Sequence, residues 1–574
     1  MTEPEEYVVT CVSMEDLDSL YNDLETIGGN EAIPDRIVPV YRRRPLSQNT
    51  HYMLTEEEAL ALSQDLRVLD VKPVKLIDSS RKLCSYTQTG TFSKSPYTDA
   101  MDPSYRNWAL LRCIEGAQRS GWGSDSTKDQ TATITIGPTG KNVDFIGMDG
   151  ICGVPNHPEF AVNADGSGGS RYVQYDWYQL NAIATSLDDD TATLLSGSYS
   201  YSGDSASDAN HGAHITGTVA GNTCGWARDA NIYQLGPLGQ QGIGSTIIWD
   251  YVRAFHRNKP INPATGRRNP TICNCSYETT LTFPTPSLTL YSVVQANRRG
   301  TTSGPFGSSP YTPFTSSQLN AVGMYNTTTA GTVYTNVPWF LAAESADITQ
   351  AINDGIIIVA AAGNSSFFID KSTGPDYANW FIAAYGTATS FYLWNQHKGC
   401  AISSTAGVIC VGAIDSTATE KKAFYSNTGP RVDIYAPGTW IVSSLSTSTG
   451  GWGNGYTSPD SRNSSYYIGR EIGTSMAAPQ VTGILACLLE IYPNMTPATA
   501  LSYITGYAKT AQLTDTGGTS PSWTSDTTSL QGSSNRYLYL PQERPTNGEM
   551  YPKQNSMNRP SSGILYPRTG IRLR

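Results

Sequence analysis

The sequence predicts an α/β fold: a doubly wound parallel sheet with helices on both faces, preceded by a small α+β domain. Three observations predict it. From Val143 onward, short apolar runs alternate with stretches of helical spacing, as buried parallel strands alternate with crossover helices. Residues 6–78 carry their own succession of signals, β-α-β-β-α-β, the ferredoxin-like pattern. Apolar runs end on or beside Asp149, Ser276 and Asn364, at the strand carboxyl ends where open α/β sheets hold their ligands.

In the first domain, residues 7–12 alternate as a strand. Residues 13–24 have helical spacing, with Ser13 as N-cap and Asp16 three residues on. Strands are expected at 37–41 and 51–54. Thr55 opens a second helix, 55–63, with Glu58 completing a capping box. A strand at 68–76 closes the unit. Residues 79–106 are polar, rich in Ser, Thr and Tyr and without periodicity, and read as a linker with a processing site. The main domain is placed at 107–540. Its strands are expected at 143–148, 231–235, 271–276, 356–362 and 408–413, and its helices at 243–257, 340–353, 475–491 and 497–508. Residues 298–339, rich in Thr, Tyr and Asn, read as an insertion. The tail, 541–574, is proline-rich with six Lys or Arg against two Glu. It reads as an extended arm suited to docking on an acidic partner in a larger assembly.

The 574 residues are 39% hydrophobic and 15% charged, a globular composition. A net charge of −10 argues against general nucleic-acid binding. No window approaches ~20 apolar residues, so no membrane span is expected. The start, Met-Thr-Glu-Pro-Glu-Glu, is acidic and no apolar core follows, so no signal peptide is expected and a cytoplasmic or virion-associated location is. The ten cysteines sit largely in apolar or small-residue runs, and Cys273 and Cys275 lack zinc-site spacing. They are expected as buried thiols, with no metal held by them.

The chemistry gathers on three segments. Gly473-Thr-Ser-Met-Ala-Ala-Pro479 delivers Ser475 to the first turn of an apolar helix, beside N–H groups without intrahelical acceptors. His211-Gly-Ala-His214 opens a small-residue helix, and Val143-Asp-Phe-Ile-Gly-Met-Asp149 ends an apolar run on a carboxylate. A nucleophilic serine needs a base, and that base needs an acid to hold its tautomer. Asp149 is the first candidate acid; Asp144 and Asp176 are the alternatives. His214 and His256 read as structural.

These segments, with Ile356-Ile-Ile-Val-Ala-Ala-Ala-Gly-Asn364, resemble the motifs of the subtilisin-like serine proteases, the subtilases, over roughly residues 107–508. The order Asp, His, Ser is that of subtilisin itself. The resemblance implies a subtilisin-like fold and a serine endopeptidase acting on protein or peptide substrates without an organic cofactor. It implies Asp149, His211 and Ser475 as the triad and Asn364 as the oxyanion donor. It implies substrate contacts at Ser276, Tyr277, Glu278, Ala361 and Gly363. Residues 6–78, with the Leu54-Thr-Glu-Glu-Glu-Ala59 run, resemble the inhibitory propeptide of subtilases, which implies a self-processing zymogen. Many subtilases bind structural calcium in loops; Asp165-Gly-Ser-Gly-Gly169 and Asp188-Asp-Asp190 are candidates but lack EF-hand spacing and read as solvated loops. Two departures stand out. Gly150-Ile151 follows Asp149 where the family has Ser or Thr and then Gly, although His157-Pro-Glu-Phe160 matches the family's next run. Glu278 replaces the glycine of Asn-x-Ser-x-Gly, which puts a carboxylate either toward the substrate cleft or into solvent. The lack of a signal, the thiols, the Thr/Tyr/Asn-rich loops and the basic tail resemble subtilases encoded by tailed bacteriophages. The rival class is a structural or virion protein that keeps the fold without the activity.

Overall fold

Alternation of apolar and polar residues builds the first unit. Strands β1 (Glu5–Cys11) and β3 (Asn49–Leu54) bury every second side chain, among them Tyr7, Val9, Cys11, Tyr52 and Leu54. That face meets Leu17, Leu20, Tyr21 and Leu24 of α1 (Met14–Leu24) and Ala59 and Leu62 of α2 (Glu56–Leu62). Ser13 Oγ accepts from Asp16 N at 3.1 Å, and Thr55 and Glu58 form the expected capping box. With β2 (Val40–Arg42) and β4 (Val68–Pro73) the antiparallel order is β2-β3-β1-β4, a ferredoxin-like sheet. The computed structural model describes residues 4–42, 47–73, 85–96, 99–149, 154–181, 209–236, 247–282, 292–304, 336–384, 391–395, 397–446, 457–515 and 530–540. It divides into two units, 1–84 and 85–574.

The second unit begins earlier than the sequence reading placed it. Residues 86–93 form strand β5 (Tyr86–Ser93), which is hydrogen-bonded to β6 (Tyr105–Asn107) and, over eight residue pairs, to β7 (Asp129–Ile136). The expectation of a linker over 79–106 is therefore corrected for its described part. Its physical error is clear in the threonines. Thr87, Thr89 and Thr91 lie on the outer face and pair with Thr135, Thr133 and Thr131, while Phe92 is fully buried. Threonine is polar but fits a pleated, half-exposed surface, so polarity alone misread a strand as a tether. Lys94 is also buried, 3.2 Å from Glu420.

The main sheet collects β8 (Asp144–Met148), β9 (Asn231–Leu235), β10 (Thr271–Cys275), β11 (Ile357–Ala361), β12 (Ile409–Ile414), β13 (Ile434–Pro437), β17 (Lys509–Thr510) and β18 (Arg536–Tyr537). Its order is β17-β18-β13-β12-β11-β10-β8-β9, parallel throughout except for the β17 edge. From β8 the chain goes outward to β9 and then returns to the other side of β8 as β10. The crevice at the carboxyl ends of β8 and β10 is thus a topological switch point, where doubly wound sheets bind ligands. Alternate strand residues enter two cores. Phe145, Ile272, Ile357 and Val359 pack with α3 (Trp108–Glu115), α4 (Ala209–Ala220), α7 (Thr474–Ile491) and α8 (Pro497–Tyr507). Ile146, Cys273, Ile358 and Ala360 pack with α5 (Ile247–Asn258) and α6 (Ala342–Asn353) on the opposite face. Helix α7 is apolar all round because sheet and helices enclose it. It is long and apolar enough to cross a membrane, and 89% of it is buried inside the protein.

A small antiparallel sheet, β14 (Ile441–Leu445), β15 (Thr457–Asp460) and β16 (Asn463–Glu471), leads into α7. At the head of the expected insertion Ser292–Arg298 pairs with Thr301–Ser303 on one side and Trp380–Ala384 on the other, and Asn336–Pro338 at its end pairs with Thr280–Thr282. The centre of the insertion, Asp188-Asp-Asp190 and the tail lie outside the described residues.

Because β5 is part of the core, Phe92→Ala is expected to cost about 3–5 kcal/mol of unfolding free energy. Equilibrium denaturation checks this, since a tether residue would cost almost nothing.

Candidate active site

Asp149 follows β8 directly, and His211 lies in the first turn of α4. They meet: Asp149 Oδ2 is 2.7 Å from His211 Nδ1. A carboxylate on Nδ1 holds the proton there and leaves Nε2 free to act as base. Burial pulls the His211 pKa down, but the charge of and hydrogen bond to Asp149, with a contribution from Glu471, hold it above the ordinary histidine value. Both alternative acids are engaged elsewhere. Asp144 is buried against Lys259 Nζ at 2.8 Å and accepts from Asn231 and Asn269. Asp176 caps a short helical turn through Tyr178 N. His214 Nε2 donates to Ile441 O at 2.7 Å, and burial lowers its pKa to about 3. His256 contacts Thr271 Oγ1 at 2.8 Å.

Ser475 enters through a turn that only glycine permits easily. Gly473 has φ +150°, and a Cβ there would come within 3.4 Å of Asn364 Nδ2. Gly473 N donates to Tyr425 Oη and to Gly438 O. Ser475 is the second residue of α7, so its N–H lies among those without an intrahelical acceptor. Pro479 has no N–H to give to the carbonyl four residues back, which is that of Ser475. Ser276 Oγ donates to this carbonyl at 2.9 Å. In return Ser475 Oγ donates to Ser276 O at 3.1 Å. Asn274 Nδ2 holds Ser276 Oγ, and Thr482 of α7 holds Asn274 Oδ1, each at 2.8 Å. The carboxyl end of β10 is thereby pinned to the nucleophile's own helix.

Asn364 follows β11 and Gly363. Its Oδ1 accepts from Thr474 N at 2.8 Å and from Thr474 Oγ1 at 2.9 Å. Because a backbone N–H can only donate, the oxygen must face Thr474, and Nδ2 is left as the outward donor beside Ser475. This is the disposition an oxyanion donor requires.

The expected substrate contacts divide. Ser276 lies at the site but both its hydroxyl and its carbonyl are bonded to Ser475. Tyr277 is a core residue, 6% exposed, packed with the α5–α6 face. Ala361 lies inside the central strand β11, flanked by β10 and β12. Gly363 N donates to Thr474 Oγ1 and Gly363 O accepts from Asn427 N. The expectation that Ala361 and Gly363 pair with substrate backbone is corrected: their strand is central rather than an edge, and the polar groups of Gly363 are used internally. Glu278 does reach the site. A Cβ on Gly363 would lie 2.8 Å from Glu278 Oε1 and would collide with Asn427 Nδ2. Burial raises the Glu278 carboxyl to about 7, partly offset by a hydrogen bond from Asn427.

Sequence reasoning did not single out Thr474, Asn427 or Glu471. Thr474 orients Asn364. Asn427 Nδ2 donates to Ala362 O at 2.7 Å, and its Oδ1 accepts from Ser365 N and Phe367 N, which shapes the turn carrying Asn364. Glu471, 5% exposed, acts on His211, and burial raises it to about 7. Thr474 sits inside the serine motif and was findable there; Asn427 carries no local signal. Asp165 accepts from Ser167 N and Oγ within its own turn. Among the described residues no group of three or more His, Cys, Asp or Glu is placed to hold a metal, and the eight described cysteines are buried and in no disulfide.

The Asp149–His211 pair, the helix-entry Ser475 and the oriented amide of Asn364 thus lie at carboxyl ends of one doubly wound sheet. The subtilase family (peptidase S8) matches residues 147–536, more than half of the chain, and the chain belongs to that family. It is 32% identical over 174 residues to an extracellular serine proteinase of Thermus sp., 30% of this chain and 31% of that protein. It is 27% identical over 304 residues to a subtilisin-like protease of Coccidioides posadasii, 53% of this chain and 41% of the other. Subtilisin DY of Bacillus licheniformis is 30% identical over 148 residues, 26% of this chain and 38% of its own length. The chain thus spans less than half of these relatives. The solved structure of a cold-adapted subtilisin-like serine proteinase covers 70% of this chain and 89% of its own at 18% identity, with a TM-score of 0.37.

Ser276→Ala removes the hydroxyl that bonds the Ser475 carbonyl left open by Pro479. It is expected to cost roughly 1–3 kcal/mol of stability, read by denaturant unfolding.

Proposed function

We propose that this chain is a serine endopeptidase that hydrolyses peptide bonds through an acyl-enzyme on Ser475. The observation that carries the reading is the 2.7 Å Asp149–His211 pair at the same switch point as Ser475. For attack, the Ser475 hydroxyl turns from Ser276 O toward His211 Nε2, which takes its proton and later gives it to the leaving amine. Asp149 keeps the proton on Nδ1 and stabilises the imidazolium. Asn364 Nδ2 and the Ser475 N–H hold the oxyanion. No step calls for a metal or an organic cofactor.

Casein hydrolysis tests this. Ser475→Ala or His211→Ala should abolish it, and undiminished hydrolysis by Ser475→Ala protein would sink the mechanism. Asn364→Ala should lower turnover by on the order of 10²–10³, a magnitude established for subtilisin itself. The pH profile is a second check. His211 must be neutral to act as base, and its pKa is raised, so activity is present at high pH and lost as pH falls through a value above the ordinary histidine pKa of about 6.5. Asp149→Asn should move that limb to lower pH.

We further propose that the first unit is an inhibitory propeptide and that the enzyme cuts itself between Pro73, where β4 ends, and Ser85, where the second unit begins. The support is the division of the chain at this segment and the build of β5 into the second unit. Intact-mass measurement should give two fragments for wild type, with the new N-terminus between 74 and 85, and one full-length chain for Ser475→Ala. A full-length wild type that hydrolyses casein would make the first unit a permanent domain.

A further inference from the structure

Glu278 is the one charged side chain that the described structure lays directly over the turn carrying the oxyanion donor. Its carboxylate rests on Gly363, 2.8 Å from where a Cβ would be, and Gly363 precedes Asn364. Gly363 has φ +104°, so two constraints keep a side chain out of this spot: the backbone conformation and the space the carboxylate fills. Asn427 supplies a hydrogen bond but no charge. Among the described residues no Lys, Arg or His forms an ion pair with Glu278, whereas Asp144, Glu159, Asp354, Asp376 and Glu420 all have cationic partners. A carboxylate that is desolvated, partly exposed and without a counter-ion is costly to keep charged, and a ligand cation removes that cost.

We propose that Glu278 selects Lys or Arg at the substrate residue whose carbonyl Ser475 attacks. The inference rests on the protease reading above and names its substrate class. The attacked carbonyl must lie beside Asn364 Nδ2. Consecutive Cα atoms are ~3.8 Å apart, so a carboxylate seated on Gly363 rests on the residue next to the one that carries Nδ2. A long basic side chain on the attacked residue reaches it, and forms a charge-assisted hydrogen bond in a site with little competing water. Short or acidic side chains gain nothing there or are repelled.

The ionisation of Glu278 gives the proposal a signature. Around the carboxyl stand Asn427, which does not titrate, and the thiols of Cys400 and Cys410, which burial raises to about 11 and about 12 and keeps neutral at physiological pH. Glu344, raised by burial to about 7, is not among the groups that act on Glu278. Attraction for a cation is therefore present above pH 7 and fades below it, as the Glu278 carboxyl takes up its proton. His211 titrates nearby but affects every substrate alike, so a ratio of substrates cancels it.

The experiment compares peptides that differ only in the attacked residue, Arg, Lys, Leu or Glu, by kcat/KM from pH 5.5 to 8.5. In wild type the Arg-to-Leu ratio should rise with pH, by on the order of tenfold, the worth of one charge-assisted hydrogen bond. Glu278→Gln should lower the ratio and flatten its pH dependence, and Glu344→Gln should keep both. A wild-type ratio near one at every pH overturns the proposal without any variant, and leaves Glu278 as a neutral cap on Asn427. An Arg preference that survives in Glu278→Gln protein overturns it too. If wild type cleaves none of the peptides and no casein, the protease reading itself fails; casein cleavage without a basic preference removes only the role of Glu278.

Discussion

The reciprocal bonding of Ser276 and Ser475 is the joint on which the site depends. Pro479 makes it available, because a helix that began with an ordinary residue there would claim the Ser475 carbonyl for itself. With that carbonyl open, the Ser276 hydroxyl ties β10 to α7, and the Ser276 carbonyl gives the resting nucleophile a partner. Thr474 makes the matching joint on the other side, to Asn364 and Gly363 after β11. Two neighbouring strands and one buried helix are thereby locked at their ends, so Asn364 and Ser475, the proposed oxyanion donor and nucleophile, share a frame. Preorganisation of this kind places donors before charge develops, and the reaction does not have to reorganise them.

Electrostatics are added onto that frame. His211 is partly buried, which alone would depress its pKa, and Asp149 and Glu471 outweigh that effect. Glu471 and Glu278 are each raised to about 7 by burial, and among the described residues neither forms an ion pair with Lys or Arg. The site is thus poised to carry negative charge near neutral pH, whereas buried carboxylates such as Glu159 with Arg462 and Glu420 with Arg112 are neutralised by arginine. Perturbed carboxyls concentrate where chemistry is done, while paired ones hold the scaffold.

Much of this architecture is legible in the residues. Runs such as Thr271-Ile-Cys-Asn-Cys275 and Ile357-Ile-Val-Ala-Ala361 are too apolar for an exposed place, and both became central strands. Ser13, Thr55 and Glu58 announce their helices through capping chemistry that is local in sequence. Why Asp149 rather than Asp144 meets His211 is not legible locally: Asp144 is held by Lys259, far along the chain. Strand β5 was missed because its stabilising partners, the threonines of β7, lie about forty residues away in sequence. That the backbone of Ala361 and Gly363 is used internally was not legible, because a motif names residue types, whereas the direction of a backbone N–H depends on which strands lie on each side.

The central claim is that Ser475 is a nucleophile activated by the Asp149–His211 pair, and covalent labelling tests it most directly. A fluorophosphonate reacts with an activated serine and leaves a stable adduct. Incubation of the protein with such a probe, followed by peptide mass mapping, should place one adduct on Ser475 in wild type and none in His211→Ala protein. Failure of the wild type to label, or equal labelling of Ser475 in the two proteins, would contradict the account.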